Sequence, residues 1–241
     1  MRAIWIIAKR ELATFFDSLI AYIMVGLFLG FSGFFTWLYG SDIFLMDQAN
    51  LRSFFSIANW TLFFFIPALT MKMLAEERKT GTLELVLTKN ISDRQLVLGK
   101  FLATMLLIGI ALIATFIYPI TIANIGDLDN GGTICGYLAL IMMSMAYTGI
   151  GLFTSSITSN QIVAFLLALF IGLFFQIIFD VLAFNFRGFL GELMDSLSLR
   201  SHFESMSRGV VDSKDIIYFL SVAFVGIFLS EISLSKRYTN G

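Results

Sequence analysis

The stretch LVLGKFLATMLLIGIALIATFIYPITIA, residues 96–123, carries one charged side chain, that of Lys100. A helix needs about 20 mainly apolar residues to cross a hydrocarbon core roughly 30 Å thick, and this stretch is longer than that. Five further apolar runs occupy residues 19–39, 54–71, 134–154, 161–184 and 216–234. The sequence therefore predicts an all-α integral membrane protein with six transmembrane helices.

The composition excludes an ordinary soluble domain. Of the 241 residues, 58% are hydrophobic and 14% are charged, and the mean hydropathy is +0.86. A soluble protein of this size lacks the polar residues needed to cover so much apolar surface. A single cysteine, Cys135, excludes a disulfide scaffold and is expected to have a plain packing role. We therefore expect the lipid bilayer, and no nucleic acid, among the partners of the chain.

The N-terminal segment differs from the apolar runs. In residues 1–18, apolar positions such as Ile4 and Ile7 recur at near-helical spacing, and the charged stretch 9–11 fills the other side. Such a helix beside a membrane span usually lies in the interface plane. We expect an N-terminal interfacial amphipathic helix at 1–18, followed by a single transmembrane domain at 19–238. The segment lacks a small-residue cleavage site, so the first span is expected to direct its own insertion.

Local signals mark where several helices start and bend. Residues 92–95 match a capping box ahead of the third apolar run, and residues 158–161 resemble one ahead of the fifth. Pro67 and Pro119 fall inside the second and third runs, where proline removes a backbone donor. These positions predict kinks or local unwinding.

The distribution of basic residues predicts the orientation. Most of the 16 Lys and Arg residues fall in 2–10, in 72–100 and at 236–237, and fewer fall in the loops that would lie on the other side. Basic residues are enriched in cytoplasmic segments of membrane proteins. We therefore expect a multi-pass protein of the inner (plasma) membrane with both termini in the cytoplasm. The loop 185–215 would then be external, with short amphipathic helices at the outer surface.

The only sizeable cytoplasmic loop in this topology is 72–95, KMLAEERKTGTLELVLTKNISDRQ. It combines both signs of charge with an apolar set, and Gly81 offers a turn between two helical pieces. A simple connection between two helices could be much shorter. The pattern favours a docking element for a soluble partner, and the alternative is an interfacial helix stabilised by its own ion pairs.

The run EERKTGTLE at 76–84, followed by Gly99-Lys100, resembles the signature of ABC-2 type transporter permeases. The six spans and the N-terminal helix agree with that family over essentially the whole chain. The stretch 199–212 resembles the branch that contains the nitrous-oxide-reductase maturation and gliding-motility permeases, and the sequence is most similar to the gliding-motility-associated ones. The resemblance implies a membrane-spanning subunit of an ATP-driven exporter in a gliding-motility system.

The resemblance also implies partners. Two permease chains would pair as a homodimer or heterodimer, a cytoplasmic ABC ATPase would bind beneath them, and a membrane protein with a large outer domain would join the assembly. The loop after span two would be the coupling helix. The ATPase-coupling residues would be Glu76, Glu77, Arg78, Lys79, Gly81, Thr82, Leu83 and Glu84.

The chain has no nucleotide site of its own. A phosphate-binding loop of the G-x-x-x-x-G-K-[ST] type needs a glycine where this chain has Arg94 and a Ser or Thr where it has Phe101. We therefore expect no catalytic residues and no bound cofactor, with ATP and Mg acting through the partner ATPase.

The sequence offers one pattern typical of an intramembrane enzyme. Residues 30–33, GFSG, match the G-x-S-G of rhomboid-type proteases, which also need a histidine in another span. The only histidine is His202 in the outer loop, where we expect a surface residue and no metal site. Gly26, Gly30 and Gly33 instead favour close helix packing or subunit pairing.

Charged groups within the spans are few. Gln176 and Asp180 are four residues apart near the outer end of span five, and they are candidate pathway residues. Two alternatives to the exporter stay open. One is a non-transporting membrane scaffold that couples a cytoplasmic ATPase to outer partners. The other is an ion-coupled carrier, against which the lack of mid-membrane charge counts.

Overall fold

The computed structural model describes residues 2–39, 50–82 and 91–235, and all regular elements in these ranges are helices. The first helix, α1 (Arg2–Asp17), is amphipathic. Leu19 has a left-handed backbone with φ of 60°, which is rare for a residue with a side chain and separates α1 from the first span. That span is α2 (Ile20–Phe34), which continues as a π-helical turn at Phe35–Tyr39.

The other helices follow in chain order. They are α3 (Arg52–Thr70), α4 (Ala75–Lys79), α5 (Asp93–Ala114), α6 (Ile117–Ala123), α7 (Asn130–Ile157), α8 (Gln161–Leu173), α9 (Phe179–Asn185), α10 (Phe189–Leu197), α11 (Leu199–Ser207) and α12 (Ser213–Ser235). A π-helical turn at Phe174–Ile178 joins α8 to α9.

Six helical segments in the described ranges are long and apolar enough to cross a membrane. They are Ile20–Leu38, Arg52–Lys79, Asp93–Ala123, Asn130–Ile157, Gln161–Asn185 and Ser213–Ser235. Each contains most of one predicted apolar run, so the predicted all-α fold with six spans is confirmed.

The fourth span, α7, is the centre of the bundle and packs against α3, α5, α8, α11 and α12. In its most apolar stretch 67% of the residues are buried, against 22% in spans one, five and six. Two glycines allow its backbone to approach α12, since a Cβ at Gly149 would lie 2.8 Å from the carbonyl oxygen of Ala223, and a Cβ at Gly226 would overlap Gly149. Spans one, five and six therefore form the outer, less buried part of the chain.

The third span is interrupted where Pro119 predicts it. Proline cannot donate to the carbonyl four residues earlier, and α5 gives way to α6 around that carbonyl, at Thr115. The Thr115 carbonyl oxygen instead accepts from the backbone N–H of Tyr118 at 2.9 Å and from the hydroxyl of Tyr137 at 3.2 Å. Pro67 behaves differently, because α3 continues through it to Thr70.

The two predicted capping boxes have different outcomes. Ser92 and Gln95 form the expected reciprocal pair at the start of α5. At the start of α8 the prediction is wrong, because Asn160 is the N-cap and its side chain accepts from the backbone N–H of Ile162 at 3.0 Å. The Thr158 hydroxyl instead accepts from the backbone of Asn160.

Both ends of the described chain lie at the same end of the bundle. Leu234, at the end of α12, belongs to one apolar cluster with Ile7 of α1 and Leu74. The same cluster includes Leu96 at the start of α5. This end therefore gathers α1, α4 and the first turns of α5, and it carries the candidate functional site.

Candidate functional site

Four charged side chains meet where α1, α4 and α5 converge, and we refer to Arg10, Glu11, Glu77 and Lys100 as the charge cluster. Lys100 is at its centre, with a side chain that is only 1% exposed. Its Nζ donates to Glu77 Oε1 at 2.8 Å and lies 3.3 Å from Glu11 Oε1. Arg10 Nη2 donates to Glu11 Oε1 at 2.8 Å and is 3.7 Å from Glu77 Oε1. The cluster therefore links three elements through one buried lysine.

The cluster favours the ionised form of Glu11. Burial of Glu11 disfavours the charged carboxylate, but attraction from Lys100 and Arg10 outweighs this and lowers the pKa of Glu11. The hydrogen bond to Glu11 raises the pKa of Arg10. The second oxygen of Glu77, Oε2, is buried with no hydrogen-bond partner among the described residues. Such an atom is costly to bury, so Glu77 depends on Lys100 for compensation.

Gly99 allows α1 to reach α5 closely enough for these contacts. A Cβ at Gly99 would lie 2.6 Å from Cγ2 of Ile7, which is closer than real Cβ atoms approach, and 3.2 Å from the carbonyl oxygen of Ile4. The structure thus gives each residue of the Gly99-Lys100 pair a packing role. The glycine admits α1, and the lysine next to it binds α1 and α4 together.

A second set of bonds fixes α4 to the end of α7. The Ser155 hydroxyl accepts from the backbone N–H groups of Leu74 (3.1 Å) and Ala75 (3.0 Å), and it donates to the carbonyl oxygen of Met71 at 3.0 Å. These N–H groups belong to the first turn of α4, where helical partners are lacking. Ser155 therefore caps α4 from another span.

Arg78 continues this connection on the next turn. Its Nη1 donates to the carbonyl oxygen of Ser156 at 2.6 Å. The hydroxyl of Ser233, near the end of α12, donates to the same carbonyl oxygen at 3.0 Å. A longer contact of 3.7 Å joins Arg94 of α5 to Glu231 of α12. The segment after span two is thus bonded to α1, α5 and α7, and α7 is bonded in turn to α12.

The residues predicted to contact an ATPase divide into two groups. Glu77 is half-buried and Arg78 is exposed, and both bond to other helices as described above. Glu76 and Lys79 are exposed on the opposite side of α4. Gly81 follows the helix with φ of 68°, a conformation that favours glycine, and provides the predicted turn.

The remaining predicted positions lie beyond this turn. The Thr82 hydroxyl is 2.9 Å from that of Thr80 and is exposed. Leu83 and Glu84 lie outside the described residues. Among the described residues, the exposed surface available to a partner therefore includes Glu76, Lys79 and Thr82.

At the other end of the bundle, the candidate pathway residues Gln176 and Asp180 occupy different surroundings. Gln176 lies in the π-helical turn, is 1% exposed, and donates from Nε2 to Asn59 Oδ1 at 2.9 Å. Its Oε1 accepts from the Tyr147 hydroxyl at 2.8 Å. Asp180 is more exposed and lies 3.4 Å from Nη1 of Arg200. Gln176 thus joins three spans, whereas Asp180 pairs with α11.

The expectation that His202 is a surface residue is wrong. The residue is 8% exposed, and its Nδ1 lies 2.6 Å from Oδ1 of Asp215 while Nε2 lies 3.1 Å from the carbonyl oxygen of Ser196. The ring stacks on Tyr218 with centroids 4.1 Å apart. These contacts attach α10 and α11 to the start of α12.

A signal for this burial is present in the sequence. The buried positions of α11 are Leu199, His202, Phe203 and Met206, which repeat at the spacing of one helical face. Among the described residues, no three His, Cys, Asp or Glu side chains converge as metal ligands would.

The glycines of span one lie in different environments. A Cβ at Gly33 would lie 3.0 Å from the Tyr118 hydroxyl, whereas Gly26 and Gly30 have no atom of the described chain within 4 Å of that position. The hydroxyl of Ser32, which lies between Gly30 and Gly33 in the sequence, is 3.3 Å from the hydroxyl of Tyr118. Of these three glycines, Gly33 therefore packs against the described part of the chain, and subunit pairing through Gly26 and Gly30 stays a prediction.

Comparison with known proteins places these features in one family. The sequence model described as ABC-2 family transporter protein matches residues 5–210. Comparison with curated proteins returns no match. The matched range includes the charge cluster, the α4 segment and the outer helices, and it covers most of the chain.

Proposed function

Because the chain belongs to the ABC-2 family of transporter proteins, we propose that it is the membrane-spanning permease subunit of an ATP-driven exporter. The family implies a separate ATPase subunit, which would bind ATP and Mg. The observation that carries the proposal is the buried Lys100, which joins the segment after span two to the interfacial helix and to span three. In this proposal that end of the bundle faces the cytoplasm of the plasma membrane.

The ATPase would dock on the exposed side of α4. Glu76 and Lys79 present both signs of charge to solvent. Complementary charges on a partner would set the register of docking, since charged groups at an interface contribute more to specificity than to raw affinity.

Movement of the docked ATPase would reach the spans through the opposite side of α4. Glu77 binds Lys100 of span three, and Arg78 binds the end of span four at Ser156. Removing one partner from a buried ion pair typically costs about 3–5 kcal/mol, so the α4 segment is expected to move together with these spans. The short helix would therefore act as a coupling helix.

The second permease chain would pair on the least buried spans. Spans one and five each have 22% of their most apolar stretch buried, and Gly26 and Gly30 leave open space on span one. Small residues allow helices to approach closely in membranes. Tilting of these spans in a homodimer or heterodimer would then change access from inside to outside.

Docking can be tested separately from transmission, by co-purification of the permease with the ATPase subunit. The exposed double change Glu76→Lys with Lys79→Glu is expected to reduce co-purification while the permease stays folded. The matched control, Lys9→Glu on the exposed face of α1, is expected to leave it unchanged. Equal recovery of the ATPase with all three forms would contradict docking at α4.

A membrane scaffold is the second candidate, and the outer helix α10 favours it. Phe189 is 77% exposed and Leu190 is 53% exposed, which presents an apolar face on the outer side. The adjacent helix α11 is anchored to α12 through His202 and Asp215, so force on α10 would be passed to a span. The likeness of residues 199–212 to gliding-motility permeases supports such a role, with a partner that has a large outer domain.

Replacing Phe189 and Leu190 with serine distinguishes the two candidates. A scaffold would lose outer partners and keep the basal rate of ATP hydrolysis of the assembly. An exporter that releases its cargo beside α10 would lose export as well. Retention of all partners by the double variant would count against the scaffold.

A further inference from the structure

The outer end of the bundle contains a cavity that the coupling mechanism does not use. Its volume is about 590 Å³, and it lies between α3, the π-helical turn of span five and α11. Ligand-binding cavities typically measure about 300–1,000 Å³, so this one has room for a small molecule or a headgroup. The cavity lies at the opposite end of the bundle from the charge cluster.

The rim of the cavity is cationic. Arg52, Arg200 and Arg208 line it, and Glu204 is the only acidic residue among its lining side chains. Glu204 holds Arg200 at 2.7 Å and Arg208 at 3.6 Å, and Asp180 lies 3.4 Å from Arg200. Arg52 has no ion pair among the described residues. Within the described part of the chain, Arg52 and the weakly paired Arg208 therefore leave positive charge available to a ligand.

The floor and walls of the cavity have different chemistry. The amides of Asn59 and Gln176 form the polar floor, and Gln176 is buried. Asn59 is seven residues after Arg52 on one helix, which places it about 10 Å deeper at 1.5 Å per residue. Aromatic side chains, including Phe55 and Trp60, line the walls. A charged rim thus continues into an amphipathic cleft about the length of a lipid headgroup.

From this arrangement we infer that the cavity binds an anionic amphiphile, a lipid with a phosphate headgroup in the outer leaflet. Arginines recognise phosphate through paired charge-assisted hydrogen bonds. A bare anion would neutralise the arginines of the rim but would make no contact with the aromatic walls. A zwitterionic headgroup would bring a cation against Arg52 and Arg208. This inference does not depend on ATP-driven transport, because binding requires only the permease.

Trp60 provides a direct reporter of occupancy. The chain has three tryptophans, and Trp5→Phe with Trp37→Phe leaves Trp60 alone at the cavity wall. The permease in dodecyl maltoside would be titrated with dihexanoyl phosphatidylglycerol, with dihexanoyl phosphatidylcholine and with inorganic phosphate. We expect a saturable change in Trp60 fluorescence with the first titrant, and binding at least about tenfold weaker with the other two, as loss of one charge-assisted bond implies.

Variants test the assignment in both directions. Arg52→Gln and Arg208→Gln are each expected to weaken phosphatidylglycerol binding about tenfold. Glu204→Gln is expected to strengthen it, a result that a folding defect would not produce. The control Arg187→Gln changes an exposed arginine outside the cavity and should leave binding unchanged.

Four results would overturn the inference. They are no saturable response, equal affinity for phosphatidylcholine, equal affinity for inorganic phosphate, and unchanged phosphatidylglycerol binding in Arg52→Gln, Arg208→Gln and Glu204→Gln.

Discussion

Lys100 in the third span donates to Glu77 in α4 across 2.8 Å, and its side chain is enclosed on all sides. Burying an ammonium group this deeply costs free energy unless acidic partners compensate for its loss of water. Glu77 and Glu11 provide that compensation from two other elements. The relationship explains why a charge interrupts an otherwise apolar span, and it makes the junction sensitive to small changes.

The first prediction concerns loss of this charge. Lys100→Met should destabilise the protein by about 3–5 kcal/mol, because it leaves Glu77 and Glu11 as buried acids without their central cation. Thermal unfolding in detergent measures the effect. Lys79→Met, on the exposed side of α4, is the matched control and should change stability by less than about 0.5 kcal/mol. Adding Glu77→Leu to Lys100→Met should recover part of the loss, and no recovery would contradict a direct Lys100–Glu77 dependence.

The second prediction concerns the approach of α1 to α5. Gly99→Ala should destabilise the protein, since the new methyl group would lie 2.6 Å from Ile7 Cγ2. Gly109→Ala lies in the same helix with no atom within 4 Å of the new Cβ, and alanine favours a helix over glycine by up to about 1 kcal/mol. That control should be neutral or stabilising. Ile7→Ala should partly rescue Gly99→Ala. Equal melting temperatures for the two alanine variants would contradict the close approach.

The third prediction concerns acid sensitivity. The lowered pKa of Glu11 means that its ionised form contributes stability above the pKa of the unfolded chain. This contribution is lost as the pH falls through the lower pKa of the folded state. Melting temperatures measured from neutral to acid pH should fall in this window. Glu11→Gln should be less stable at neutral pH, and its melting temperature should fall less steeply with decreasing pH. If its melting temperatures run parallel to those of the wild type, Glu11 is not a source of the acid sensitivity.

The fourth prediction concerns the outer helices. His202→Leu should loosen α10 and α11, because it leaves the fully buried Asp215 without the imidazole 2.6 Å away. Hydrogen exchange should rise in these helices and in the first turn of α12, with little change at α4. Lys214→Leu, an exposed neighbour, is the control. Unchanged protection in α10 and α11 would show that other contacts hold them.

The spans could be predicted from the sequence because membrane insertion depends on local hydrophobicity. The break before Pro119 and the cap at Ser92 are also local effects, since each depends on atoms within one helical turn. The cap of α8 was missed because Asn160, Thr158 and their neighbours compete for the same role within three residues. Only the backbone conformation selects Asn160.

The candidate site was less accessible to sequence reasoning. The loop after span two was identified by its charge, but the sequence could not divide it into an inward side with Glu77 and an outward side with Glu76. That division depends on Ser155 and Lys100, which are distant in sequence and reach α4 only through packing. The buried position of His202 was within reach, because its neighbours repeat at helical spacing.

The central claim is that α4 transmits movement of the ATPase through Lys100. The most direct test measures the rate of ATP hydrolysis by the purified assembly, with wild-type permease and with Lys100→Met at matched ATPase content. The account predicts that the variant retains the bound ATPase and loses the change in hydrolysis rate that the wild-type permease produces. If the variant retains the ATPase and still changes the hydrolysis rate as the wild-type permease does, the central claim is contradicted.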